Sequence, residues 1–247
     1  MAKTVRTSII IKIMSTQELH KAQVSILRTL RHTTAARYTV LRQPTDLESD
    51  VFKFHLRKLV RQQYVRKLDS GEYELTSAGK EFANNLSESE QRTQKQPKLS
   101  VAIIASREFD GTKKYLCQQR LRSPFYGFWG CLSGPVQWGE SFEIAAQREF
   151  EKQTGLTATY VVRAFYRSTD YSEKDILLED KLFAIVEASD VCGEITNDWQ
   201  KGFNAWLGLA ELKTQEKYFT STCDFIAMLE SGEQFRVRFP HYAQSEY

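Results

Sequence analysis

The 247-residue sequence lacks any apolar run approaching the ~18–20 residues a membrane-spanning helix needs. Its opening, MAKTVRTSIIIKIM, has only the short patch Ile9 to Ile11 before Lys12, too little for a secretory hydrophobic region, and no small-residue cleavage site follows. No membrane partner and a cytoplasmic location are therefore expected. Cysteine is scarce as well. Cys117, Cys131, Cys192 and Cys223 form no C-x-x-C pair and have no neighbouring His in a zinc-ligand pattern, so they read as small buried hydrophobes in a reduced compartment. No segment repeats another. What is present, 41% hydrophobic and 26% charged residues, is ordinary for a globular chain long enough for one large domain or two small ones.

Net charge is also nearly absent, at +3, but the balance conceals a division. Residues 1–98 carry 18 Lys and Arg against 10 Asp and Glu, whereas residues 99–247 carry 16 against 21. A basic first part joined to an acidic remainder points to two domains with different partners. Between them SESEQRTQKQPKL, Ser87 to Leu99, is almost without apolar residues and contains Pro97, the composition of a linker. The expected layout is a first domain over 1–86, a linker over 87–98 and a second domain over 99–247.

In the first domain, Thr16 is a candidate N-cap for a helix in which Val24, Leu27 and Leu30 recur at helical spacing. A short helix is expected over 35–42. A third helix places Phe52, Leu56, Leu59 and Val60 on one face. Asp69-Ser70-Gly71 turns a hairpin, and a final helix starts near Ser77. The text FKFHLRKLVRQQYV followed by GEYELTSAGKEF resembles the recognition helix, wing and closing helix of ArsR/MarR-like bacterial regulators, although Gln63 stands where glycine is usual. The resemblance covers roughly residues 16–86 and implies a winged helix-turn-helix domain that binds duplex DNA, often as a homodimer. Ser49, Lys53 and Arg57 lie opposite the buried leucines, and Arg66 and Lys67 lie at the base of the wing; these are the candidate DNA contacts. Glu48 and Asp50 suit the helix dipole but repel phosphate. A winged helix used for protein contacts or dimerisation is the alternative.

In the second domain, apolar strands are expected at LSVAIIAS and KKYLCQQRL, turned at Gly111, then at GFWGCLSG, GLTATYVVRAFYRSTDY and EDKLFAIVEAS, with a late helix near STCDFIAMLES. One constellation is specific. Gly134 is followed after five residues by Glu140, and after seven more by Arg148-Glu149-Phe150-Glu151-Lys152-Gln153-Thr154-Gly155-Leu156. This spacing resembles the Nudix box, and with its flanks the likeness spans about residues 100–230. It implies an α+β chain overall: a winged helix followed by a Nudix-fold α/β/α sandwich with a mixed sheet.

The family's three box-helix glutamates fall at Glu149, Lys152 and Gln153, which share one helical face at i, i+3 and i+4. Three carboxylates there hold Mg²⁺, which bridges the substrate diphosphate and activates water. Here the formal charge of the trio is zero rather than −3, and Ser133-Gly134 replaces the usual glycine pair. The substituted box implies no cofactor, with Mg²⁺ expected only if hydrolysis survives; Glu149 is then the metal ligand, and Glu149 and Glu140 the catalytic pair. Gly134, Trp138, Arg148, Lys152 and Gln153 are the candidates for binding a nucleoside-diphosphate-type small molecule. Phe125, Tyr126, Phe128 and Trp138 are candidates for stacking or for the core. Glu173, Asp175, Glu179 and Asp180 are either a late metal-ligand cluster or a solvated loop.

Two readings follow: a transcription regulator whose Nudix domain senses a metabolite, or a Mg²⁺-dependent Nudix hydrolase with an accessory winged helix. An interaction protein without enzymatic activity is a third. Nudix-related transcriptional regulators, which sense ADP-ribose-type ligands, carry the two domains in the reverse order, so their ligand does not carry over.

Overall fold

The computed structural model describes residues 19–86, 96–243 and 245–247. The chain divides into two compact units, Met1–Lys95 and Gln96–Tyr247. The candidate N-cap Thr16, the patch Ile9 to Ile11 and most of the expected linker lie outside the described residues. Lys98 already belongs to a strand.

In the first unit, helix α1 (Lys21–Arg31) buries Val24, Leu27 and Leu30 as their spacing predicts, and Ile26 with them. Its cap is His20, whose Nδ1 accepts from the Ala22 amide at 3.2 Å. Helix α2 (Tyr38–Arg42) starts later than expected, because Ala36 exchanges both main-chain hydrogen bonds with Tyr73 and is held extended. A 3-10 turn (Gln43–Thr45) containing Pro44 leads toward α3 (Ser49–Arg61). Phe52, Leu56 and Leu59 enter the core, each burial contributing roughly 2 kcal/mol. Val60 does not join them; it is turned outward and 37% exposed. Gln63 takes the left-handed backbone that its glycine-like position demands (φ 61°). The chain then enters the antiparallel hairpin of β1 (Val65–Lys67) and β2 (Tyr73–Leu75). Helix α4 (Ser77–Asn84), capped by Thr76, completes the unit.

The second unit is a mixed sheet between helices. Its strands are β3 (Lys98–Phe109), β4 (Thr112–Arg120), β5 (Trp129–Pro135), β6 (Thr157–Ser172), β7 (Leu177–Cys192), β8 (Asp198–Trp199), β9 (Gly202–Leu207), β10 (Phe235–Arg238) and β11 (His241–Tyr242). The order across the sheet is β10-β6-β7-β3-β5-β4-β9-β8, with β11 also pairing β6. β3 runs parallel to β7 and antiparallel to β5. Because successive side chains alternate, Val101, Ile103 and Ala105 meet helix α5 (Phe142–Thr154) on one face. Ala102 and Ile104 meet the other core layer, with α6 (Leu209–Lys213) and α7 (Thr220–Ser231). This two-sided burial is why the strand reads as the unbroken apolar run VAIIA. Ser141 caps α5 by accepting from the Ile144 amide, and Gly155 ends it in the left-handed conformation. Among the described residues no helix is long and apolar enough to cross a membrane.

Strands β10 and β11 have no counterpart in the sequence reading. Glu179 and Asp180 lie within β7, where the expected strand EDKLFAIVEAS puts them, so the alternative of a solvated acidic loop does not hold for these two, and Glu179 is buried. Glu173 and Asp175 lie at the turn before β7.

Candidate functional site

The box begins in β5, not in a loop. Gly134 sits there so close to α5 that a Cβ on it would lie 2.2 Å from Glu149 Cγ, so this glycine is required by packing alone. The close approach buries Glu149 (4% exposed) and Gln153 (2%) at successive turns of α5. Glu149 is then fully engaged. Its Oε1 takes the Arg148 guanidinium and stands 3.7 Å from Lys152 Nζ; its Oε2 accepts from Gln153 Nε2 at 2.8 Å. Gln153 Nε2 also donates to the Ser133 carbonyl at 3.1 Å, tying the helix to β5. Two substitutions that looked like damage to a site are thus part of one closed network.

Arg148 holds the other half of the box. Its Nε and Nη2 grip Glu140 at 2.7 and 2.8 Å, and Nη2 reaches the Pro135 carbonyl at 2.8 Å. Glu140 in turn accepts from the Gln137 amide. The hydrogen-bonded guanidinium holds the Glu140 carboxyl at about 2, below its ordinary 4.5, and Glu140 correspondingly raises Arg148. The pair staples the loop before α5 onto the helix. Trp138, at the tip of that loop, is 100% exposed, and Lys152 is half-exposed with its ammonium 6.0 Å from the Trp199 ring.

On the α7 side of the same strand lies a cavity of about 90 Å³. Arg120, Ser133, Asp170, Glu179 and Lys181 supply its polar wall, and Phe125 and Tyr242 part of its aromatic wall. Glu179 is paired by Lys98 at 2.6 Å and by Lys181, which also stands 3.8 Å from Asp170. Burial raises the pKa of Asp170 against the pull of Ser168 and Lys181. Burial also raises Glu179, but there the two lysines prevail and the net shift is downward. Ser133 belongs to both places: its carbonyl holds Gln153, and the residue lines the cavity. None of Gly134, Trp138, Arg148, Lys152 and Gln153 lines this cavity. Most sequence candidates surround the box; of the cavity residues, Ser133, Phe125 and Glu179 were singled out by the sequence, while Arg120, Asp170, Lys181 and Tyr242 carry no motif that marks them. Of the four aromatic candidates, Phe125 and Phe128 are buried against one another, and Tyr126 and Trp138 are at the surface.

In the first unit, Ser49, Lys53, Arg57 and Lys67 line one groove of about 690 Å³, with Tyr38, Val60, Arg61 and Tyr73. Arg61 and Tyr38 were not anticipated; Arg61 continues the Lys53–Arg57 row by four residues. Tyr38 fixes the start of α3 by donating to the Ser49 carbonyl at 2.8 Å. Among the described residues no carboxylate pairs with Lys53, Arg57, Arg61 or Lys67. Arg66 is different. Strand alternation turns it away from Lys67, and it is paired with Glu74 across the hairpin.

A family model for the NUDIX domain matches residues 96–223, more than half of the chain, and a model for a domain of unknown function (DUF7347) matches residues 16–86. The chain belongs to the Nudix family. Among solved structures, the NUDIX domain of Shewanella oneidensis NrtR complexed with ADP ribose is 18% identical, with 64% of this chain and 98% of that one covered and a TM-score of 0.49. The mutator MutT protein from Bacillus halodurans is 18% identical, with 61% and 93% covered and a TM-score of 0.48. No curated protein matches.

Family membership raises the question of Mg²⁺. The donor set at the box does not fit it. A hard dication takes several oxygens at once, whereas here one carboxylate is already occupied by two cations and an amide N–H, and its neighbours are an ammonium and a buried amide. Among the described residues no three His, Cys, Asp or Glu side chains converge as a metal site.

Proposed function

We propose that the chain is a DNA-binding regulator whose Nudix domain binds a nucleotide-derived ligand without hydrolysing it. The observation that carries this reading is the closure of Glu149 by Arg148, Lys152 and Gln153. The family's reaction routes water activation through metal-bound glutamates, and this arrangement has replaced the metal with internal cations. The half-exposed Lys152 ammonium keeps positive charge at the box for an anionic ligand.

The order of elements in the first unit, three helices, a hairpin and a closing helix, supports a winged helix over residues 1–86, with 87–98 as linker and 99–247 as the Nudix domain. The groove beside α3 supports duplex DNA as its partner, since unpaired exposed cations are what phosphates recruit. Lys53, Arg57, Arg61 and Lys67 make the backbone contacts, and the bound form is a homodimer on paired half-sites. Ligand binding shifts the population of the DNA-binding form.

Two measurements test this. Duplex DNA should bind with affinity that falls steeply as salt rises. ADP and ADP-ribose should bind without Mg²⁺-dependent release of phosphate or nucleotide. Failure to bind DNA even at low salt rejects the first half of the reading; turnover abolished by Glu149→Gln rejects the second.

A further inference from the structure

Helix α3 carries two exposed side chains that a purely basic contact surface leaves unexplained. At about 100° per residue, Asp50, Phe54, Arg57 and Arg61 fall within roughly 50° of the direction opposite Phe52, Leu56 and Leu59. They are the outermost stripe of the helix. Arg57 and Arg61 also line the groove beside it, whereas Asp50 and Phe54 do not. Phe54 is 62% exposed, the most exposed large apolar side chain described in the first unit. Its ring is braced nonetheless. It stands edge-on to His55 with 5.3 Å between centroids, and His55 stacks at 4.0 Å on His20, the cap of α1. Asp50 is exposed and has no ion-pair partner among the described residues.

Neither residue suits a phosphate. A carboxylate repels one, and a phenyl ring offers it no hydrogen bond. The stripe is equally unsuited to a second copy of itself, which would bring Lys53, Arg57 and Arg61 against their own like. On a duplex held by flanking cations, the chemistry left for these two side chains is that of the base edges. In the major groove the thymine methyl takes apolar contact, and the cytosine amino group donates to a carboxylate. Four residues along α3 advance about 6 Å, a little under two base-pair steps of about 3.4 Å.

We propose that Asp50 and Phe54 are a base-reading pair: Phe54 contacts a thymine C5 methyl, and Asp50 accepts from a cytosine N4 amino group within about two base pairs of it. The inference rests on the duplex-binding reading above, in which Lys53, Arg57, Arg61 and Lys67 hold the backbone. Those four set affinity, and Asp50 and Phe54 set sequence. Asp50 discriminates by repulsion as well, since it penalises every register in which no amino group faces it.

The experiment selects duplexes from a random-sequence library with the full chain, then measures affinity for the selected duplex at one fixed salt concentration. Each thymine is replaced in turn by uracil, which lacks only the methyl, and each C·G pair by T·A. The comparison chains are Phe54→Ala, Phe54→Leu and Asp50→Ala, with their helix content checked by circular dichroism. The expected result is that uracil at one thymine of each half-site weakens the full chain about fourfold, the worth of one buried methyl. The same replacement leaves Phe54→Ala unchanged, and Phe54→Leu retains part of the effect. Near that thymine one C·G pair is preferred about tenfold by the full chain, and Asp50→Ala loses the preference. Uracil sensitivity that is absent from the full chain, or that persists in Phe54→Ala, overturns the role of Phe54. An unchanged C·G preference in Asp50→Ala overturns the role of Asp50. A loss in Phe54→Ala that is equal for all duplexes and comes with a smaller species in light scattering makes Phe54, with the neighbouring exposed Val51, a protein contact and overturns the proposal. Salt-sensitive duplex binding without any enriched sequence overturns the base-reading pair and leaves the duplex reading standing. Absence of duplex binding even at low salt overturns both.

Discussion

The cations beside α3 and those on α5 are held in opposite ways. Lys53, Arg57, Arg61 and Lys67 line an open groove without a carboxylate partner among the described residues, whereas Arg148 and Lys152 converge on Glu149, with Glu140 gripping Arg148 from the other side. Exposed unpaired cations cost little in water and remain available to a polyanion. A buried carboxylate demands partners, and once it has them neither it nor the part-buried Arg148 can easily turn to a new ligand, while the half-exposed Lys152 stays open on its outer side. Similar residue types thus stand open in one unit and are tied into the architecture of the other.

The sharpest way to break this comparison is Arg148→Met. It leaves Glu149 buried with less compensation and frees the Glu140 loop, and should cost about 3 kcal/mol. All four tryptophans lie in residues 129–206, so denaturant unfolding followed by tryptophan fluorescence reads the second unit alone. Gly134→Ala should cost about 2 kcal/mol in the same assay, because the added methyl meets Glu149 and overpacks the helix–strand contact. A loss of ligand binding with no loss of stability would instead give Gly134 a role toward ligand.

In the first unit, Arg57→Ala should weaken duplex binding by about 1 kcal/mol and reduce the salt slope by about 1. Arg66→Ala should change it by less than about 0.5 kcal/mol, since Arg66 is already paired with Glu74. Equal effects would mean that the groove is not the contact surface.

The smallest effect concerns pH. The folded-state pKa of Glu140 is lowered to about 2 by Arg148, so the stability it contributes is complete above 4.5 and is lost as pH falls from there toward 2. Glu140→Gln should therefore show a shallower loss of stability across that window, read from unfolding midpoints at successive pH values.

Much of this was legible from residues alone. The spacing of Phe52, Leu56 and Leu59 set the inner face of α3; Gln63, which departs from the glycine usual in the resemblance, nevertheless takes the left-handed backbone. The box spacing located α5 and the proximity of Lys152 to Glu149. Val60 escaped because helical spacing defines a stripe without fixing its edge. Ala36 escaped because its pairing with Tyr73 overrides local preference. The cavity was invisible for a deeper reason: Arg120, Asp170, Glu179 and Tyr242 come from β4, β6, β7 and β11, and only the sheet brings them together. Glu179 was grouped with the acidic turn residues because a buried, lysine-paired carboxylate has the same letters as a solvated one.

The claim that the box has exchanged metal chemistry for internal cations is tested most directly by incubating the full chain with ADP-ribose over a range of Mg²⁺, with heats of Mg²⁺ binding measured in parallel and Lys152→Glu/Gln153→Glu as the comparison. The account predicts neither turnover nor a saturable Mg²⁺ heat for the natural box, and a new saturable heat when the two carboxylates are restored. Mg²⁺-dependent turnover by the natural chain, lost in Glu149→Gln, would contradict it.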